Sequence, residues 1–194
     1  MANQTIKQTT QILEAGGVGI LPTDTLYGLV GQALDRKAVK RIYELKARKE
    51  KNPFIILISS LDDLPKLNIK LDRKIKNFLK TIWPGPVSVV LDCPNKRLNY
   101  LHRETKTLAI RLPKSKFLQN LIKQTGPLVA PSANPLGSPP AETIAEAKKY
   151  FPNLDFIVSV GRKLAGQPST LIKIKNGKIE TLRQGRIKIK QKEI

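Results

Sequence analysis

Residues 21–53 read LPTDTLYGLVGQALDRKAVKRIYELKARKEKNP and carry different chemistry at their two ends. An apolar run, Val18 to Leu21, empties into Pro22-Thr23-Asp24-Thr25, two hydroxyls around a carboxylate, and then Tyr27-Gly28. The far end is the cationic cluster Lys46-Ala47-Arg48-Lys49. Such a unit suits a polar, anionic ligand better than an apolar one. It reads as half of a pocket for a nucleotide and a small amino-acid-like partner.

Lys46 and Arg48 are two apart, so on a helix they face different ways, whereas in an extended segment they share a side. If the helix ends near Leu45, both can converge on one triphosphate. Arg48 would then act as a planar fork and Lys46 as a point charge. The same cations would also complement a helix C-terminus, an effect of about 0.3–1 kcal/mol. Ser132-Ala133-Asn134 offers a hydroxyl, a small residue and an amide in a loop held by prolines. It can aim backbone N–H groups at an oxyanion, or form an ordinary Asx-type turn. Arg111 interrupts the apolar strand LAIRLP. Arginine is seldom buried without a partner, so a carboxylate ligand, a structural ion pair or an outward-facing position are the readings.

Several chemistries are excluded. There is no GxxxxGK[ST], and Gly17, Gly19, Gly28 and Gly31 do not have the spacing of GxGxxG. His102 is the only histidine, so a histidine metal cluster is impossible, and in the polar loop 94–106 it reads as a solvated residue. Cys93 is the only cysteine, which removes internal disulfides and thiolate zinc sites; it reads as a small hydrophobe at a strand end.

The elements that must position these residues follow from periodicity. Helical spacing covers roughly 3–15, stopped by Gly16-Gly17. The strand-like VGILP (18–22) leads through Tyr27-Gly28 into a helical stretch. Asp35 then caps a helix striped by Ala38, Val39, Ile42 and Leu45. Pro53 to Ile58 is a continuous apolar run, hence a central strand, and Ser59 to Asp63 a cap with a short helical turn. A helix over 71–82 is stopped by Trp83-Pro84-Gly85-Pro86. Strands follow at 87–93 and 107–113, a helix at 115–124, a short buried strand at 127–131, a helix at 141–150 and a strand at 155–160. Residues 169–175 and 178–183 form a hairpin about Asn176-Gly177. This alternation argues for a mixed α/β sheet with helices packed on it.

The 194 residues, 40 % apolar and 26 % charged, suit one domain. No apolar run is long enough to span a bilayer, which takes roughly 20 residues. The polar start MANQTIKQTT lacks a signal-peptide core, so a cytoplasmic location is expected. With 35 Lys+Arg against 15 Asp+Glu, the net charge of +20 attracts polyanions and phosphorylated ligands. Charge alone does not separate an RNA binder from an enzyme that uses a nucleotide.

Taken in series, PTDTLYGL, KARKEKNPF, WPGPVSVVL, LAIRLP, PSANPLG, PST and LRQG resemble the threonylcarbamoyl-AMP synthases, the YrdC-like family, from about residue 17 to 185. The resemblance implies an α/β fold, a twisted mixed parallel/antiparallel sheet flanked by helices around a large basic concave cavity. It implies a single domain over 1–194 with a basic tail at 186–194, as in the shorter members. It further implies synthesis of L-threonylcarbamoyladenylate and pyrophosphate from L-threonine, bicarbonate and ATP. That product feeds N6-threonylcarbamoylation of adenosine 37 in ANN-decoding tRNAs through a downstream threonylcarbamoyltransferase machinery. Carried over by position, Lys46, Arg48, Ser132 and Asn134 are catalytic and, with Asn52, Thr107 and Arg183, hold ATP. Thr25, Arg111, Ser169 and the main chain at Ala130 hold threonine. No protein metal site is implied; Mg²⁺ would arrive with the triphosphate.

Two positions depart from the family pattern. Pro140 stands where many members have a serine or threonine, and Leu57 lies where a histidine is common. The second functional reading is a non-catalytic tRNA- or double-stranded-RNA-binding protein on the same fold. A third is a relative that acts on a different amine, because one methyl-sized pocket difference is worth only about 1–3 kcal/mol.

Overall fold

Burial on both faces dictates the architecture. A computed structural model of the chain describes residues 5–47, 53–161, 163–164, 166–175 and 177–189. Among them are nine strands: Gly19–Pro22 (β1), Tyr27–Gln32 (β2), Ile55–Leu57 (β3), Val87–Asp92 (β4), Thr107–Arg111 (β5), Leu128–Val129 (β6), Phe156–Ile157 (β7), Thr170–Lys175 (β8) and Lys178–Arg183 (β9). They form one sheet in the order β7-β1-β2-β6-β3-β5-β4-β8-β9. β1 with β7, β3 with β5 and β4 with β8 pair parallel; the other neighbours pair antiparallel. The expected mixed sheet is present, and the run at Ile55–Leu57 lies at its centre.

Adjacent residues of a strand serve opposite faces. Ile20, Leu29, Ile56 and Val129 enter one apolar cluster, together with Ala38, Val39 and Ile42 of Arg36–Leu45 (α2) and Leu79 of Arg73–Ile82 (α3). Their neighbours Leu21, Val30, Leu57 and Leu128 enter the other. That face is covered by Leu13 of Ile6–Glu14 (α1) and by Leu118, Leu121 and Ile122 of Lys116–Thr125 (α5). Leu57 is thus fully buried in the layer under α1 and α5. Two shorter helices, Asn99–His102 (α4) and Ile144–Tyr150 (α6), pack on the first face. Caps define the starts: the Asp35 carboxylate accepts from the N–H groups of Lys37 and Ala38 at 2.8 and 3.3 Å. No helix among the described residues is long and apolar enough to cross a membrane.

Three local expectations are corrected. The stretch after Tyr27-Gly28 is strand β2, antiparallel to β1. A Cβ at Gly31 would lie 3.3 Å from that of Ala38, so this strand stays slim where α2 crosses it. The loop 94–106 folds into a short 3-10 turn and α4, burying Leu98, Leu101 and His102. His102 is 3 % exposed; its Nε2–H donates to the carbonyl of Asn95 at 3.1 Å. Finally, the strand expected at 155–160 keeps ladder pairing only at Phe156–Ile157.

Candidate active site

The hairpin β1–β2 turns through Thr23 to Leu26. Asp24 adopts φ +60°, the left-handed region that Asp tolerates better than most residues. The Thr23 N–H and hydroxyl both donate to the Leu26 carbonyl, at 2.9 and 2.7 Å. This tight turn presents two hydroxyls and a carboxylate to the end of β5, where Arg111 is 3 % exposed. Arg111 Nη1 donates to Thr25 Oγ1 at 3.1 Å and Nη2 to the Thr23 carbonyl at 2.8 Å. Nη2 also lies 3.2 Å from Asp24 Oδ1. An outward-facing Arg111 is thereby excluded, and an ion pair is present. That contact attracts by charge without hydrogen-bond alignment, because Asp24 Oδ1 and Arg111 Nε have no hydrogen-bond partner among the described residues.

Burial pushes the Asp24 carboxyl above its ordinary value, against the opposing pull of Arg111, the Lys114 N–H and Arg186. Burial likewise lowers the Arg111 guanidinium; Asp24 opposes this and the nearby Arg183 adds to it. The buried Arg111 charge is therefore offset by Asp24, which the Lys114 N–H also holds at 2.9 Å.

Above this pair is a cavity of about 270 Å³ lined, among others, by Thr25, Arg111, Ala130, Ser132, Ser169 and Arg183. Residues far apart in sequence are thus brought together around one cavity. Ser169 lies just before β8, and Arg183 at the end of β9 reaches back to donate to its carbonyl and its Oγ, at 2.8 and 3.3 Å. The Ala130 N–H is committed to the Ile55 carbonyl at 2.9 Å, so a ligand contact there falls to its carbonyl. Pro140, the departure from the family pattern, lines the cavity with an apolar ring.

Lys46 and Asn134 sit behind the cavity wall. Helix α2 does end at Leu45, with Lys46 as its cap and Ala47 in the left-handed region at φ +47°. Instead of extending as a point charge, the Lys46 side chain is 3 % exposed as part of its residue. Its Nζ donates to the carbonyls of Ser132 and Asn134 at 2.6 and 2.5 Å. Asn134 turns its amide inward, to the carbonyls of Pro135 and Ser138 at 3.1 and 2.6 Å. Ser132 bridges to Gly28 of β2, so the loop is stitched to both halves of the site. Thr107 lies on the same face of β5 as Ala109 and Arg111, but its Oγ1 donates to Thr105 Oγ1 at 3.2 Å and it does not line the cavity. Arg48 and Asn52 lie outside the described residues. No group of three or more His, Cys, Asp or Glu side chains able to hold a metal comes together among the described residues.

Two residues of this arrangement take roles that the sequence did not assign to them. Asp24 sits between the two threonines and is the partner that Arg111 required. Ser88, a lone hydroxyl in the apolar strand β4, is fully buried with its Oγ 2.8 Å from Ser169 Oγ.

A mixed α/β sheet whose strand ends and crossover loops gather arginines, hydroxyls and a proline-held loop around one cavity defines a small-molecule site at a sheet rim. The chain belongs to the Sua5/YciO/YrdC family, whose model, described as "Telomere recombination", matches residues 11–185. It is 32 % identical over 190 residues to a threonylcarbamoyl-AMP synthase of Pyrococcus abyssi, covering 97 % of this chain and 56 % of that protein. It is 37 % identical over 143 residues to one of Bacillus subtilis, covering 73 % of this chain and 41 % of that protein. Among solved structures, P. abyssi Sua5 complexed with L-threonine superposes with a TM-score of 0.84 at 32 % identity, covering 93 % of this chain and 54 % of that one. The chain thus spans about half the length of these relatives.

Proposed function

We propose that the chain makes L-threonylcarbamoyladenylate and pyrophosphate from L-threonine, bicarbonate and ATP, supplying tRNA modification at adenosine 37. The observation that carries this reading is Arg111, a guanidinium buried in the cavity wall with more donors than described partners. Asp24 offsets its charge, and the Nε–H without a partner among the described residues is a donor that a ligand oxygen would satisfy. The names of the relatives, and the threonine in one of them, supply which ligand.

The amine of threonine and bicarbonate condense to a carbamate with loss of water, and a carbamate oxygen attacks the α-phosphorus as pyrophosphate leaves. Nucleophile and phosphate are both anionic, so fixed cations and N–H donors must offset their repulsion. Arg111, Thr25, Ser169 and the Ala130 carbonyl hold the amino acid. Ser132 and the loop tethered by Lys46 face the nucleotide, with Arg183 between the two. The cavity, about 270 Å³, suits the amino acid and its carbamate; it falls just below the roughly 300–1,000 Å³ of whole small-molecule sites. Arg48 and Asn52, which lie outside the described residues, would serve the triphosphate as the family resemblance implies. Mg²⁺, held chiefly by phosphates and its own waters, would neutralise charge there. Walls of Pro53, Phe54, Pro131, Pro140 and Pro168 limit water, which would destroy carbamate and mixed anhydride alike.

A purely RNA-binding role draws no support from Arg111, because a side chain 3 % exposed has no access to a phosphate backbone. The deciding experiment is a mass-spectrometric product assay with ATP, bicarbonate and each candidate amino acid. The adenylate is expected with L-threonine, with stoichiometric pyrophosphate. Absence of any threonine-dependent product would overturn the reading.

A further inference from the structure

Ser88 is buried at 0 % exposure in β4, beside the apolar residues Val87 and Val89. Its described hydrogen bond is the 2.8 Å contact with Ser169 Oγ. Ser169 lines the cavity, and Arg183 Nη2 lies 3.3 Å from the same Oγ.

A serine oxygen offers two lone pairs and one proton, whereas a guanidinium can only donate. Arg183 therefore occupies one lone pair of Ser169, and the contact with Ser88 can be made in two ways. If Ser169 donated to Ser88, the Ser88 proton would be buried without an acceptor, which is costly. If Ser88 donates, the second lone pair of Ser169 is filled. The proton of Ser169 is then left for a ligand in the cavity that Ser169 lines.

We propose that Ser88 is a positioning residue. Its donated proton fixes Ser169 as a donor toward an oxygen of the bound amino acid, selecting a carboxylate there and rejecting an ammonium. The inference rests on the amino-acid reading of the cavity given above. Ser88 touches no reacting atom and acts through Ser169 alone.

The test measures pyrophosphate release at varied L-threonine for the wild type, Ser88→Ala and Ser88→Thr, with L-threonine binding followed by calorimetry. Ser88→Ala should raise the threonine KM and Kd about tenfold, while kcat changes by less than about twofold and the ATP KM stays put. Ser88→Thr keeps the hydroxyl and should recover most of the loss. Ser88→Cys, close in volume and a weak donor, should be intermediate, and it replaces the alanine variant if that does not fold. In the Ser169→Ala background, Ser88→Ala should cost nothing further in threonine affinity. Wild-type threonine KM and Kd in Ser88→Ala, or losses that simply add in the double variant, would overturn the proposal and leave the reading of the cavity intact. Wild-type protein that binds L-threonine but releases no pyrophosphate would overturn the adenylation reading, with Ser88 then judged by Kd. Wild-type protein that binds no L-threonine would overturn both.

Discussion

The ammonium of Lys46 lies 2.5 Å from the carbonyl oxygen of Asn134, and a second carbonyl of the same loop, that of Ser132, is 2.6 Å away. The loop returns the contact, since the Leu136 N–H donates to the Lys46 carbonyl at 3.1 Å. A cation at the end of α2 thus holds the Ser132–Asn134 loop in place. Lys46→Met keeps the stem and removes the charge, leaving two carbonyls without their charged donor. The expected loss is about 2–4 kcal/mol of stability, read as a lower midpoint in urea at unchanged m-value. The ATP KM should rise with it. A variant as stable as the wild type would show that the amine is not the tether.

Arg111 serves Thr25, the Thr23 carbonyl and Asp24 at once. Lysine keeps the charge but cannot span three acceptors in one plane. Arg111→Lys should therefore raise the threonine KM by at least about tenfold. Arg111→Ala, which takes from Asp24 its buried cationic partner, should cost about 3–5 kcal/mol of stability. Removing both partners in Arg111→Met/Asp24→Asn should be less damaging to stability than Arg111→Ala alone. Thermal unfolding of the three variants checks the ordering.

Gly185 closes the LRQG segment where the chain runs against the backbone before β8. A Cβ there would sit 2.4 Å from the Pro168 carbonyl oxygen and 2.5 Å from that of Ser169. Backbone must move to admit it. Gly185→Ala should cost about 1–3 kcal/mol and displace Ser169, raising the threonine KM more than the ATP KM. Equal rises in both would place the strain elsewhere.

Much of this was legible in particular residues. Arg111 announced itself as a charge within an apolar strand, and Pro53 to Ile58 as a strand buried on both faces. The strand Tyr27–Gln32 did not, because its two glycines erase alternation; they are there for close approach of Thr23 and α2. His102 was hidden by its polar neighbours, although Leu98, Leu101 and His102 share the helical spacing of a buried turn. The inward turn of Lys46 was beyond any local pattern. Its partners lie 86 and 88 residues away, and only tertiary packing decides whether a lysine faces a ligand or a carbonyl.

Asp63 gives the fold a pH dependence separate from the site. Its carboxylate accepts from the Ser59 N–H and hydroxyl at 2.8 and 2.7 Å and pairs with Lys66 at 2.8 Å, with its side chain 5 % exposed. Burial raises its pKa, but the bonds from Lys66 and Ser59 outweigh that and hold the carboxyl below its ordinary value. A depressed carboxylate contributes stability that is present above the unfolded pKa, about 3.9, and is lost as pH falls through the folded value. Asp63→Asn should thus be less stable than the wild type by about 1–3 kcal/mol at pH 7. Urea titrations at successive pH values should show the gap narrowing below about pH 4, because protonation removes the charge in the wild type as well. A gap that stays constant down to pH 3 would mean that shape, rather than charge, is what Asp63 supplies.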